Sequence, residues 1–114
     1  MENNLDLKCA ECGSKIPQSN KDETLITKSL GVLQEDGVYA FFLYLASRGE
    51  KELAERIIEQ TFSLLKNQIT SIKDAGEPLS AIREKLADNL DSLLLAKQLL
   101  ERTLVYARYH AKAL

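Results

Sequence analysis

The sequence contains few residues that break helices. Its 114 residues include two prolines and five glycines, and neither type occurs between residues 50 and 75 or after residue 78. No stretch alternates apolar and polar residues as a half-buried strand does. Because long stretches lack helix breakers and strand-like alternation is absent, the sequence predicts an all-α fold.

A membrane-spanning run and a strong net charge are also absent. The longest apolar run, residues 38–46, is well short of the ~20 residues that a membrane helix needs, and the first fifteen residues are polar. We therefore expect a cytoplasmic protein that does not bind membranes. The hydrophobic content of 45% predicts a globular domain, and the formal charge of −2 gives no long-range attraction to nucleic acid.

The apolar periodicity predicts about four helices, two short and two long. We expect a flexible, cysteine-bearing tail over residues 1–20 and a helical bundle domain over 21–114, with helices at 22–34, 38–47, 50–74 and 79–114. Weak helix formers at 88–92 allow a break in the last helix. An unbroken last helix would be ~50 Å long, whereas a compact domain of this size has a radius of gyration of ~13 Å. That helix must therefore bend or pair with another chain.

Two helices carry more apolar surface than one chain is expected to cover. The 38–47 helix is apolar on nearly every side, and leucines widen the apolar stripe of the last helix. We predict a non-catalytic assembly or adaptor subunit, homo-oligomeric or part of a larger assembly. The predicted interface residues are Tyr39, Phe42, Leu94, Leu95 and Leu99.

The two cysteines, Cys9 and Cys12, form a C-x-x-C-G motif of the kind from which zinc ribbons are built. A structural zinc site usually has four cysteine or histidine ligands, and the rest of the chain contains no further cysteine and a single histidine, His110. One hypothesis is a zinc ion shared between the motifs of two chains. The alternatives are a tail without metal, a redox pair, and a metal site completed by ligands from a different partner protein.

Paired carboxylates suggest an alternative function, that of an enzyme. Glu52 with Glu55 and Asp88 with Asp91 resemble the pairs by which all-α nucleotide pyrophosphatases hold magnesium. In a hairpin that turns near Gly76 the two pairs would lie ~18 Å apart along the axis, so such a site would have to form across a dimer. No other catalytic constellation is present, and we expect a protein that is not an enzyme.

The end of the last helix interleaves basic and aromatic residues, which can grip phosphates and stack on bases. The candidate nucleic-acid-binding residues are Arg102, Tyr106, Arg108, Tyr109 and Lys112. The competing interpretation is that basic residues stabilise a helix C-terminus and tyrosines lie at the edge of a core.

The segment GVYAFFLYLASRG, residues 37–49, is similar to a segment of the small helical subunits of type III CRISPR effector complexes. In those subunits a glycine opens a short aromatic and aliphatic helix that ends in a small residue, a basic residue and glycine. Residues 106–109 loosely resemble their closing helix, whereas the cysteine motif lies outside the family's pattern. The resemblance implies a non-enzymatic filament subunit that contacts its neighbours and displaced nucleic acid.

Overall fold

Six α-helices make up most of the computed structural model, which describes residues 2–48 and 51–114. They are α1 (Glu2–Ser14), α2 (Glu23–Asp36), α3 (Val38–Ala46), α4 (Lys51–Gln68), α5 (Pro78–Ala81) and α6 (Leu90–Ala113). No strand occurs within these ranges, which confirms the predicted all-α class. The predicted helix boundaries at Gly49 and Glu50 lie outside the described residues.

The N-terminal segment is a helix, not the flexible tail that we predicted. Helix α1 packs against α4 and α6, and Cys9, Cys12 and Ile16 all belong to the hydrophobic core. A helix this short is marginal in isolation, so its stability comes from burial of one face. The polar residues that dominate its sequence lie mainly on the opposite, exposed face of the helix.

A side chain of α4 fixes the connection between α1 and α2. The Arg56 Nε atom donates a 2.6 Å hydrogen bond to the Ile16 carbonyl, and its guanidinium lies 3.3 Å from the Asp22 carboxylate. The same carboxylate accepts a hydrogen bond from the Gln18 backbone N–H. These bonds satisfy polar groups in the connecting loop and hold the end of α1 beside α4.

The two short helices occur where the sequence predicted them, with Gly37 between them. Gly37 has φ = +97°, a backbone conformation that favours glycine, and its N–H bonds to the Leu33 carbonyl at the end of α2. Helix α3 lies in the core, where Phe42 makes edge-on contacts with Phe41 and Phe62. Burial inside one chain therefore accounts for most of its apolar surface.

Both predicted long helices are interrupted. Helix α4 ends at Gln68, and extended backbone at Ile69 precedes a 3₁₀ turn, Thr70–Ile72, that places Ile72 in the core. The last helix is broken within residues 88–92, where the sequence allowed a break: Asn89 is extended, and its side chain accepts a hydrogen bond from the Ser92 N–H. The unpredicted α1 and the division of the last helix into α5 and α6 explain why the described residues form six α-helices rather than four.

The break at Asn89 makes the last helix shorter than the predicted helix over residues 79–114. Helix α6 has 24 residues and is therefore ~36 Å long, which fits within the longest molecular dimension of 38 Å. It does not need to project or bend. None of the helices in the described ranges combines the length and the apolar content that crossing a membrane requires.

Candidate association surface

The cysteine motif forms the contact between α1, α4 and α6. The Cys9 thiol donates to the Leu99 carbonyl of α6 at 3.7 Å, and the Cys12 thiol donates to the Gln60 carbonyl of α4 at 3.3 Å. Gly13 lies so close to α6 that an added Cβ would be 2.7 Å from the Thr103 carbonyl oxygen. In this conformation the motif packs helices together.

The same burial opposes metal binding in the folded conformation. A zinc ligand must be a thiolate, and burial raises the pKa of both thiols, that of Cys12 to about 11. Neither sulfur is at the surface, since Cys9 is 1% and Cys12 is 7% exposed. Across residues 2–48 and 51–114, no three His, Cys, Asp or Glu side chains are grouped to hold a metal ion. A zinc site shared between two chains would require α1 to leave the core.

The paired carboxylates lie on the surface. Glu52 and Glu55 of α4, Asp88 before α6 and Asp91 in its first turn are all exposed. Each is in the environment expected of a solvated helix face rather than a closed cation site.

Two of the candidate nucleic-acid-binding cations are paired with carboxylates. Arg102 Nη1 lies 2.7 Å from Asp6 Oδ1, and the Tyr106 hydroxyl donates to Asp6 Oδ2 at 2.8 Å. The hydrogen bonds from Tyr106 and Arg102 lower the pKa of the Asp6 carboxyl, while Asp6 raises the pKa of Tyr106. Lys112 Nζ is 3.7 Å from the Glu23 carboxylate. The carboxylates reduce the attraction that this face would exert on a phosphate backbone.

The remaining two candidates, Arg108 and Tyr109, are neighbours on α6. The Arg108 guanidinium carbon lies 5.8 Å from the centre of the Tyr109 ring, and Tyr109 is 60% exposed. The Arg108 Nε atom is buried and has no hydrogen-bond partner among the described residues. Tyr109 is therefore the candidate most available to a partner.

The structure divides the predicted interface residues between core and surface. Phe42 and Leu99 are buried inside the chain, so their side chains are not available at its surface. Tyr39 and Leu95 are half-buried, and the Tyr39 hydroxyl accepts a hydrogen bond from Arg83. Only Leu94, 49% exposed, is largely open to solvent.

Leu94 belongs to a stripe on the outer side of α6 that we call the α6 ridge, in which Leu94, Gln98 and Tyr109 are exposed and Val105 is half-buried. Its residues are Leu94, Gln98, Val105 and Tyr109, with Asp91 near one end and Lys112 near the other. Spacings of four and seven residues place them on one side of the helix, opposite the buried side that carries residues such as Leu100, Leu104 and Ala107.

A groove of ≈ 730 Å³ lies along the ridge. It is lined by Gln34, Gln98, Glu101, Arg102, Val105, Tyr106 and Tyr109. The sequence predictions do not include Gln98, Glu101 and Val105, because they rest on leucine stripes and on basic residues interleaved with aromatic ones. Their helical spacing from Leu94 and Tyr109 was the available signal.

Comparison with known proteins assigns no family. No protein-family model matches the chain, and neither the curated proteins nor the solved structures include a significant match. The resemblance of residues 37–49 to CRISPR small subunits therefore stays a prediction from the sequence.

Proposed function

We propose that the chain is a non-catalytic assembly subunit that acts by protein–protein association through the α6 ridge. The observation that carries the proposal is the exposure of Leu94 and Tyr109 on the outer side of the longest helix. Burying the apolar surface of leucine and tyrosine against a partner lowers the free energy of the complex, and tyrosine is enriched at protein interfaces. The adjoining groove gives a partner's side chains a concave surface to occupy.

Association is favoured over nucleic-acid binding at this face. A phosphate-binding surface depends on uncompensated cations, whereas Arg102 and Lys112 each have a carboxylate within 4 Å. A chain with a formal charge of −2 also offers no general attraction to a polyanion. The ridge itself combines apolar, amide and aromatic side chains, which suit a protein partner.

Sedimentation equilibrium of the purified chain tests the proposal. We expect reversible self-association at micromolar concentration, and at least a tenfold weaker association for Leu94→Arg, because the substitution places a strongly hydrated charge in the contact. Leu43→Arg is the matched control, since Leu43 has almost the same exposure, 50%, but lies on α3.

Two results would count against the proposal. A wild-type protein that sediments as a monomer throughout the micromolar range would contradict self-association. Equal weakening by Leu94→Arg and Leu43→Arg would show that the ridge is not the contact surface.

A further inference from the structure

The α6 ridge is complementary to itself when it is reversed. We propose that two copies of the chain pack their α6 ridges antiparallel, about a two-fold axis near the middle of the helix. This inference rests on the proposed function and adds the relative orientation of the two copies and the geometry of their contact. A two-fold interface of this kind uses the same surface on both copies.

The charges of the helix are divided between its two halves. Residues 90–101 carry two carboxylates and one lysine, whereas residues 102–113 carry two arginines, one lysine, one histidine and no acidic side chain. An antiparallel pair sets the acidic half of each copy beside the basic half of the other, while a parallel pair would set like charges together. Arg102 and Lys112 keep donors for this contact, because their side chains are 61% and 54% exposed despite their internal partners.

The apolar residues of the ridge can pack in the same orientation. The midpoint of Leu90–Ala113 lies between Glu101 and Arg102. Reversal about that point brings Leu94 of one copy to the level of Tyr109 of the other, and Gln98 to the level of Val105. The exposed large hydrophobic side chains of the ridge, Leu94 and Tyr109, would then cover each other at both ends of the contact. Glu101 and Arg102 would meet their counterparts at the axis.

The size of the ridge sets the expected strength. A surface ~36 Å long and ~10 Å wide offers on the order of 350 Å² per copy, less than half of the ~800 Å² per partner that is typical of stable complexes. Side chains entering the groove beside Val105 and Tyr106 add to this area. We therefore expect a dissociation constant in the micromolar range rather than the nanomolar range.

Cross-linking of single introduced cysteines tests the orientation. In an antiparallel pair the axial distance between identical residues increases by ~3 Å for each residue away from the midpoint. That distance is ~10 Å for Gln98 and ~35 Å for Ala113, both of which are exposed. We expect a bismaleimide with a spacer of ~10 Å to link Gln98→Cys into a covalent dimer and to leave Ala113→Cys monomeric.

Three controls define what each result means. Treated wild-type protein shows whether the buried Cys9 and Cys12 react, and Leu94→Arg added to Gln98→Cys should abolish the covalent dimer. Equal cross-linking of Gln98→Cys and Ala113→Cys would indicate parallel helices and overturn the inference. No cross-linking of Gln98→Cys in a chain that sediments as a dimer would also overturn it and leave association itself intact. A monomeric wild-type chain would end both proposals.

Discussion

At the residue scale, the small residues of the cysteine motif allow two helices to approach closely. Besides the Thr103 carbonyl oxygen, the Ala107 nitrogen and the Tyr106 Cβ would lie 2.9 Å from a Cβ placed on Gly13. Two of these three atoms are backbone atoms of α6, which cannot move without displacing that helix. The motif C-x-x-C-G therefore has a packing role here that requires no metal.

Gly13→Ala should destabilise the protein by about 1–3 kcal/mol, the usual cost of overfilling a packed site. Gly31→Ala is the matched control, because Gly31 also lies in a helix but has no atom within 4 Å of an added Cβ. There the higher helix propensity of alanine should stabilise by about 0.5–1 kcal/mol. Urea denaturation of both variants measures the difference, and similar free energies of unfolding would contradict the packing role.

At the element scale, the start of α6 decides the length of the helix. Asn89 adopts an extended conformation, and its Oδ1 atom accepts a 3.1 Å hydrogen bond from the Ser92 N–H. This bond satisfies one of the free N–H groups of the first turn. The cap therefore separates α6 from the turn that precedes it and keeps α6 within the length of the molecule.

Asn89→Ala should cost about 1 kcal/mol of stability, because it removes the capping acceptor. Asn89→Asp should remain close to wild type, since aspartate supplies an equivalent oxygen at the same position. The measurement is the urea midpoint of each variant at pH 7. Equal midpoints for the alanine and aspartate variants would show that the cap does not stabilise α6.

At the scale of the whole molecule, the buried thiols link global stability to alkaline pH. Burial raises the pKa of Cys12 from 9.0 to about 11 in the folded chain. A raised folded pKa means that the stabilising contribution of the neutral thiol is complete below pH 9 and is lost as the pH rises toward 11. In that range the unfolded chain loses its proton first, and unfolding becomes more favourable.

We expect the free energy of unfolding to fall more steeply between pH 9 and pH 11 in the wild type than in Cys12→Ser. Two pKa units correspond to a difference on the order of 2 kcal/mol by pH 11. Serine retains a hydroxyl that can donate to the Gln60 carbonyl but does not titrate, while Cys9 and Tyr106 titrate in both proteins. Urea denaturation under reducing conditions at several pH values measures the slopes. Parallel pH dependences would contradict a role for Cys12 burial.

At this scale, two features that suggested a partner from the sequence are accounted for within a single chain. From the sequence, the length of the last helix and the apolar 38–47 helix both suggested a partner. In the structure α6 fits within the molecule, and α3 buries Val38, Phe41, Phe42 and Leu45 inside the chain. The remaining basis for association is the ridge, on which Leu94 and Tyr109 are exposed.

The sequence by itself determined the all-α class and the turn at Gly37, because helix breakers and apolar spacing act locally along the chain, and it marked residues 88–92 as a place where the last helix could break. It also supplied Leu94 and Tyr109 as surface candidates. Only the tertiary structure decided that residues 2–14 form a helix and that the two thiols point into α4 and α6. Those outcomes depend on contacts such as Cys9 with Leu99, 90 residues apart, which no local pattern encodes. A polar segment with one small, apolar face becomes a helix only when another part of the chain covers that face.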